Sequence, residues 1–183
     1  SDRTTLERIR IFFGHAAGNM FSTVVAGVLM AVVLRSTGVN DTLLMSWFSG
    51  LVLVSVAVIF FEAWVHGQPL QTVASARRHL RWRIVLGAVV TLWLGLAVFM
   101  LPLSAQPTEA ALMFLLLSTM VTVGAMSYAV VPAYCTMLGL MGMAPMALYN
   151  ILAFVHNGDS FHLLLAVMAV VWLAVVLIKV RHV

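Results

Sequence analysis

Six apolar runs, each about as long as a membrane-crossing helix, divide this chain from end to end. Crossing ~30 Å of hydrocarbon takes about 20 helical residues at 1.5 Å each. The runs extend from Ala16 to Leu34, Leu43 to Val65, Ile84 to Leu103, Ala110 to Tyr128, Val131 to Val155 and Phe161 to Ile178. Of 183 residues, 63% are hydrophobic and only 9% are charged, whereas soluble domains carry roughly 25% charged residues. So few charges cannot build a water-facing surface, and lipid must cover most of it. The expected fold is an all-α, six-transmembrane-helix bundle that occupies the whole chain as one membrane domain.

The junctions support this division. Thr37-Gly38-Val39-Asn40-Asp41, Gly67-Gln68-Pro69, Gln106-Pro107-Thr108 and Asn157-Gly158-Asp159-Ser160 read as turns. Between Gly124 and Pro132 no charge intervenes, so the fourth and fifth helices are expected to form a tight hairpin. Orientation follows from the basic residues. Arg3, Arg8 and Arg10, the loop residues Arg77, Arg78, Arg81 and Arg83, and the terminal Lys179 and Arg181 share one side; Arg35 alone lies on the other. This bias predicts cytoplasmic termini and a cytoplasmic loop over residues 66–83. The net charge of +4 therefore reads as a topology signal and not as a nucleic-acid surface. Trp82 and the loop arginines also suit an interfacial helix touching anionic headgroups. The start, SDRTTLERIRIFF, reads as an amphipathic segment without a cleavage pattern.

No nucleophile elbow, P-loop, dinucleotide glycine signature, HExxH or paired-cysteine motif is present. The chain is expected to be non-enzymatic by itself and to need no cofactor. The single cysteine, Cys135, cannot form an internal disulfide. Glu62 is the one acid well inside an apolar run. An intramembrane acid is a functional candidate, although this one lies near a span end, within reach of Arg77, Arg78 or the headgroups beside Trp64. The histidines fall at or beyond span ends, which argues against haem between facing helices. His156, Asp159 and His162 fall close together, the one grouping that offers a metal site; the alternative is that Gly158 ends one helix and Asp159 or Ser160 caps the next.

Small and polar side chains recur at helical spacing in the first span (Asn19, Thr23, Gly27, Met30) and the fourth (Ser118, Thr119, Thr122, Ser127). Such stripes either pack helix on helix or line a pocket. In YCTMLGLMGMAPMALYN, residues 134–150, the methionines project around the helix, whereas Cys135, Gly139, Gly142 and Met146 share one narrow face. That favours close packing over a copper site. Pro145 removes the hydrogen bond to the Met141 carbonyl, so a bend is expected there. The candidate ligand contacts are Asn19, Thr23, Glu62, Trp93, Thr122, Tyr134, Met141 and Asn150, with Pro132 and Pro145 as candidate kinks and no metal.

LERIRIFFGHAAGN before the first span, Trp47 in the second, RWRIVLGAVVTLWLGLAVFMLP entering the third and the proline-bearing YAVVPAYCTMLGLMGMAPM carry a resemblance. Together they resemble the six-transmembrane N-terminal sensor region of bacterial signalling proteins, which precedes GGDEF/EAL cyclic-di-GMP enzymes or histidine kinases. The chain departs at Trp93-Leu94-Gly95, where relatives often have Trp-Gly. The resemblance implies a bacterial inner-membrane, homodimeric input domain. It would bind a small apolar or amphipathic signal and relay it from KVRHV into a cytoplasmic output domain in cis. The rival expectation is a small transporter of three plus three helices, although the two halves show no self-similarity.

Overall fold

Lipid offers no hydrogen-bond partners, so each long apolar run must satisfy its backbone within itself, which a helix does. The computed structural model describes residues 16–66, 73–127 and 131–181, and every regular element among them is helical. The helices are α1 (Ala16–Ser36), α2 (Asp41–His66), α3 (Val73–Leu96), α4 (Pro107–Ser127), α5 (Pro132–Asn157) and α6 (Ser160–Arg181). A 3₁₀ turn over Ala97–Met100 extends α3. Five of the six are long and apolar enough to cross a membrane; α1 contributes a shorter apolar stretch, Met20–Ser36.

The helix ends follow local chemistry. Asn40 Oδ1 accepts the Thr42 amide at 2.8 Å and so caps α2. Pro107 opens α4, and Glu109 reaches back to the Gln106 amide at 3.1 Å. Gly158 closes α5 in the left-handed conformation (φ 71°), and Asp159 caps α6 through the Phe161 amide at 2.9 Å. These last two turns match the expected capping around Asn157-Gly158-Asp159.

One boundary differs substantially. Helix α3 begins at Val73, whereas residues 66–83 were expected to be loop, so its arginines ride on the same continuous helix as the third apolar run. A helix there agrees with the interfacial helix that Trp82 and these arginines suited, arginine being a good helix former whatever its charge; the difference is that it continues without a break into the third run. The amino-terminal arginines, the Gly67-Gln68-Pro69 turn and the end of KVRHV lie outside the described residues.

Helices α1, α2, α3, α5 and α4 pack in sequence around a closed ring, α1 against both α2 and α4, and α6 lies outside against α5 and α4. Helix α5 thus contacts α3, α4 and α6 and is the most enclosed element. Small residues allow this. A Cβ on Gly95 would lie 2.7 Å from the Met141 carbonyl oxygen and 3.1 Å from that of Gly142. The Met141 carbonyl is the one that Pro145 leaves without its helical donor, so the backbone of α3 meets α5 where α5 lacks a bond. The expected single small face of α5 is divided in fact: Gly142 meets Thr91 and Val121, Gly139 meets Leu173 and Val176 of α6, and Cys135 donates to Ala125 O of α4 at 3.4 Å. Met143 and Met146 are fully buried core fillers.

A buried ion pair beside an apolar cavity: the candidate functional site

Glu62 sits one turn before the end of α2, and Arg83 lies well inside α3 on the antiparallel neighbour. Arg83 Nε donates to Glu62 Oε1, and Arg83 Nη1 donates to Tyr134 Oη of α5 at 2.9 Å. The arginine side chain is 0% exposed and that of Glu62 7%. A charge taken out of water in this way costs several kcal/mol unless it is paired and hydrogen-bonded. The guanidinium suits the task because its planar fork aims donors in two directions at once. A single side chain of α3 thereby ties α2 to α5.

Tyr134 has a second role. Its ring forms part of the wall of a partly open cavity of about 50 Å³ lined by residues of α1, α3, α4 and α5, among them Met20, Thr23, Val90, Leu117 and Leu138. Gly87 makes room for the ring: a Cβ there would lie 2.5 Å from Tyr134 Cε2. The Thr91 hydroxyl, also on the wall, donates to the Gly87 carbonyl at 2.8 Å within its own helix. The phenol is likewise bonded, accepting from Arg83, and beyond these hydroxyls and that of Thr23 the wall is apolar. Such a space fits a molecule of a few heavy atoms with little or no polarity.

The other candidate ligand contacts separate into distinct places. Trp93 is on the ring's α2–α3 seam, where its Nε1 donates to Trp47 O at 3.0 Å and Trp47 Nε1 donates to Trp93 O at 3.1 Å. Thr122 donates to Ser118 O of its own helix at 2.7 Å. Met141 is half-buried with its carbonyl against Gly95. The side chain of Asn19 lies outside the described residues. Pro132 occupies the first turn of α5, so it starts that helix and does not bend it. Pro145 stands inside a helix that runs unbroken from Pro132 to Asn157.

Asn150 belongs to a separate cluster near the far end of the bundle. Its Nδ2 donates to Met146 O at 2.9 Å, so its Oδ1 is the acceptor for His162 Nδ1 at 3.0 Å. This assigns the Nδ1–H tautomer to His162, and its Nε2 is buried without a hydrogen-bond partner in the protein. Tyr149 Oη donates to Pro102 O at 2.9 Å beside it. His162 therefore points into the core, Asp159 caps α6 and His156 is exposed, so the three do not converge on a metal. Among the described residues no group of three or more His, Cys, Asp or Glu side chains is placed to hold one.

Arg83 is the site residue that sequence reasoning placed in a loop. A signal for it exists: on a helix Arg83, Gly87, Val90 and Leu94 lie at i, i+4, i+7 and i+11, one face, and all four are buried. Arg77, Arg78 and Arg81 fall off that face and are exposed. Compared with protein-family models, with curated proteins and with solved structures, the chain matches none.

Proposed function

We propose that this chain is a membrane-embedded signal-input domain of six spans with both ends in the cytoplasm. A small apolar or amphipathic molecule enters the α1–α3–α4–α5 cavity, and α6 passes the change to a cytoplasmic output domain in cis. The observation that carries this reading is Tyr134, at once a wall of the cavity and a partner of the buried Arg83. The orientation rests on the nine-to-one distribution of its ten Lys and Arg. Helix α1 counts as a span because its 21 residues rise about 31 Å at 1.5 Å each.

An occupant that displaces the Tyr134 ring lengthens its bond to Arg83 and loosens α5 from α3. Helix α5 packs along α6, so the displacement reaches the carboxyl-terminal helix. The energies suit a graded response. A ligand of three or four heavy atoms gains at most about 1.5 kcal/mol per atom, about 4.5–6 kcal/mol in all. A coupling of about 1–3 kcal/mol uses part of that limit, whereas full reversal of a 1:99 equilibrium would take nearly all of it as differential affinity, about 5.5 kcal/mol.

The test fuses the carboxyl end of the chain to a kinase reporter domain and measures phosphorylation in membranes. Val90→Phe, which fills the cavity, is expected to lock the reporter at one output level and abolish its response to small apolar probes such as xenon or cyclopropane. A Val90→Phe fusion that responds as the parent does would refute the reading.

A further inference from the structure

Where α2 ends and α3 begins, Phe61 and Trp64 face Arg78, His79, Trp82 and Leu86 across an open groove of about 500 Å³. Its two tryptophans are 54% and 58% exposed. In a bilayer such rings belong at headgroup level, where their amphipathic character is satisfied. His79 is the exception within the groove. It is 92% buried, its ring edge meets Trp64 at 5.4 Å between centroids, and its Nδ1 has no hydrogen-bond partner in the protein. A buried polar atom without a partner costs about 1–3 kcal/mol, so an external partner is called for.

We infer that this groove seats the phosphodiester headgroup of an anionic phospholipid, with an acyl chain descending past Phe61 and Leu86. The charges select the headgroup. Arg78 lines the groove, Arg77 and Arg81 are exposed on the same helix nearby, and no acidic side chain lines it. A phosphate oxygen accepts from the Arg78 guanidinium in a charge-assisted bond. A turn of the imidazole about its Cβ–Cγ bond brings a ring N–H to a second oxygen. Trp64 and Trp82 flank the glycerol region. This site is distinct from the Tyr134 cavity and does not depend on what that cavity binds.

The experiment is native mass spectrometry of the full chain in mixed micelles with equimolar phosphatidylglycerol and phosphatidylcholine, counting lipids that survive mild activation. One phosphatidylglycerol is expected to be retained at least fivefold over phosphatidylcholine. Arg78→Gln and His79→Leu should each remove that preference, and Arg77→Gln, outside the groove, should keep it. Equal retention of the two lipids overturns the proposal. So does loss of preference in Arg77→Gln to the same degree as in Arg78→Gln, which would mean surface charge alone. Displacement of the lipid by millimolar inorganic phosphate would overturn the acyl-chain contact. His79→Gln, which keeps a side-chain donor in the groove, guards against a folding defect: it should unfold like the parent and retain part of the preference, and an undiminished preference in His79→Leu overturns the imidazole's role.

Discussion

Removing Arg83 tests its buried contacts with Glu62 and Tyr134 most sharply, because removing it alone costs far more than removing it together with the Glu62 charge. Arg83→Met leaves the Glu62 carboxylate enclosed at 7% exposure with its cation gone. Breaking a buried pair from one side costs about 3–5 kcal/mol, and losing the donor to Tyr134 adds about 0.5–1.5 kcal/mol. Glu62→Gln leaves the guanidinium, itself 0% exposed, facing a neutral amide, with a loss of similar kind, about 3 kcal/mol. The double variant holds no buried charge, and replacing a whole buried pair with neutral groups is close to neutral. Its expected loss is about 1–2 kcal/mol, mainly the Tyr134 bond. The coupling in the cycle is then at least about 4.5 kcal/mol, above the usual range of about 0.5–3 kcal/mol for contacting residues. The assay is reversible unfolding in mixed micelles with increasing sodium dodecyl sulfate, followed by tryptophan fluorescence. Single variants that each cost under about 1 kcal/mol, or a double variant equal to their sum, would refute the claim that the pair is buried and mutually compensating.

Further outcomes follow from the packing. Gly95→Ala drives a Cβ to 2.7 Å from a backbone carbonyl and should cost about 1–3 kcal/mol of overpacking, whereas Gly139→Ala, 3.1 Å from the flexible Leu173 Cδ1, should cost under half of that in the same unfolding assay. Trp47→Phe and Trp93→Phe each delete one indole–carbonyl bond between α2 and α3 and should each lose about 1 kcal/mol of stability. Asn150→Ala strands His162 Nδ1 in the core and should cost about 1–3 kcal/mol, with Asn150→Gln failing to restore it because the longer amide cannot keep both bonds; full stability of Asn150→Ala would show that the histidine is solvated.

The helical, membrane-like character of the chain was legible because apolar length and charge scarcity are properties of composition, and lipid leaves the backbone few choices. The caps at Gly158 and Asp159 and the turn that holds Asn40 were legible because their chemistry is local. Arg83 was not, for a physical reason: a basic residue near a span end signals topology and partnership equally well, and only its register with Gly87 and Val90 separates the two. Tyr134 was singled out, but its partner Arg83 lies 51 residues away in sequence, and the meeting of the two depends on which helices close the ring. The methionine segment shows the same limit. Its packing nature was readable from helical spacing, yet its small residues address three different neighbours, which only the bundle arrangement determines.

The central claim is that an occupant of the cavity acts on Tyr134. The chain has three tyrosines, so uniform labelling with 3-fluorotyrosine gives a resolvable ¹⁹F spectrum, assigned by Tyr134→Phe. Xenon pressure applied to the protein in nanodiscs should shift the Tyr134 resonance saturably, leave that of Tyr149 in place and have no effect on Val90→Phe. A Tyr134 resonance that does not move with xenon, or one that moves equally in Val90→Phe, would contradict the account.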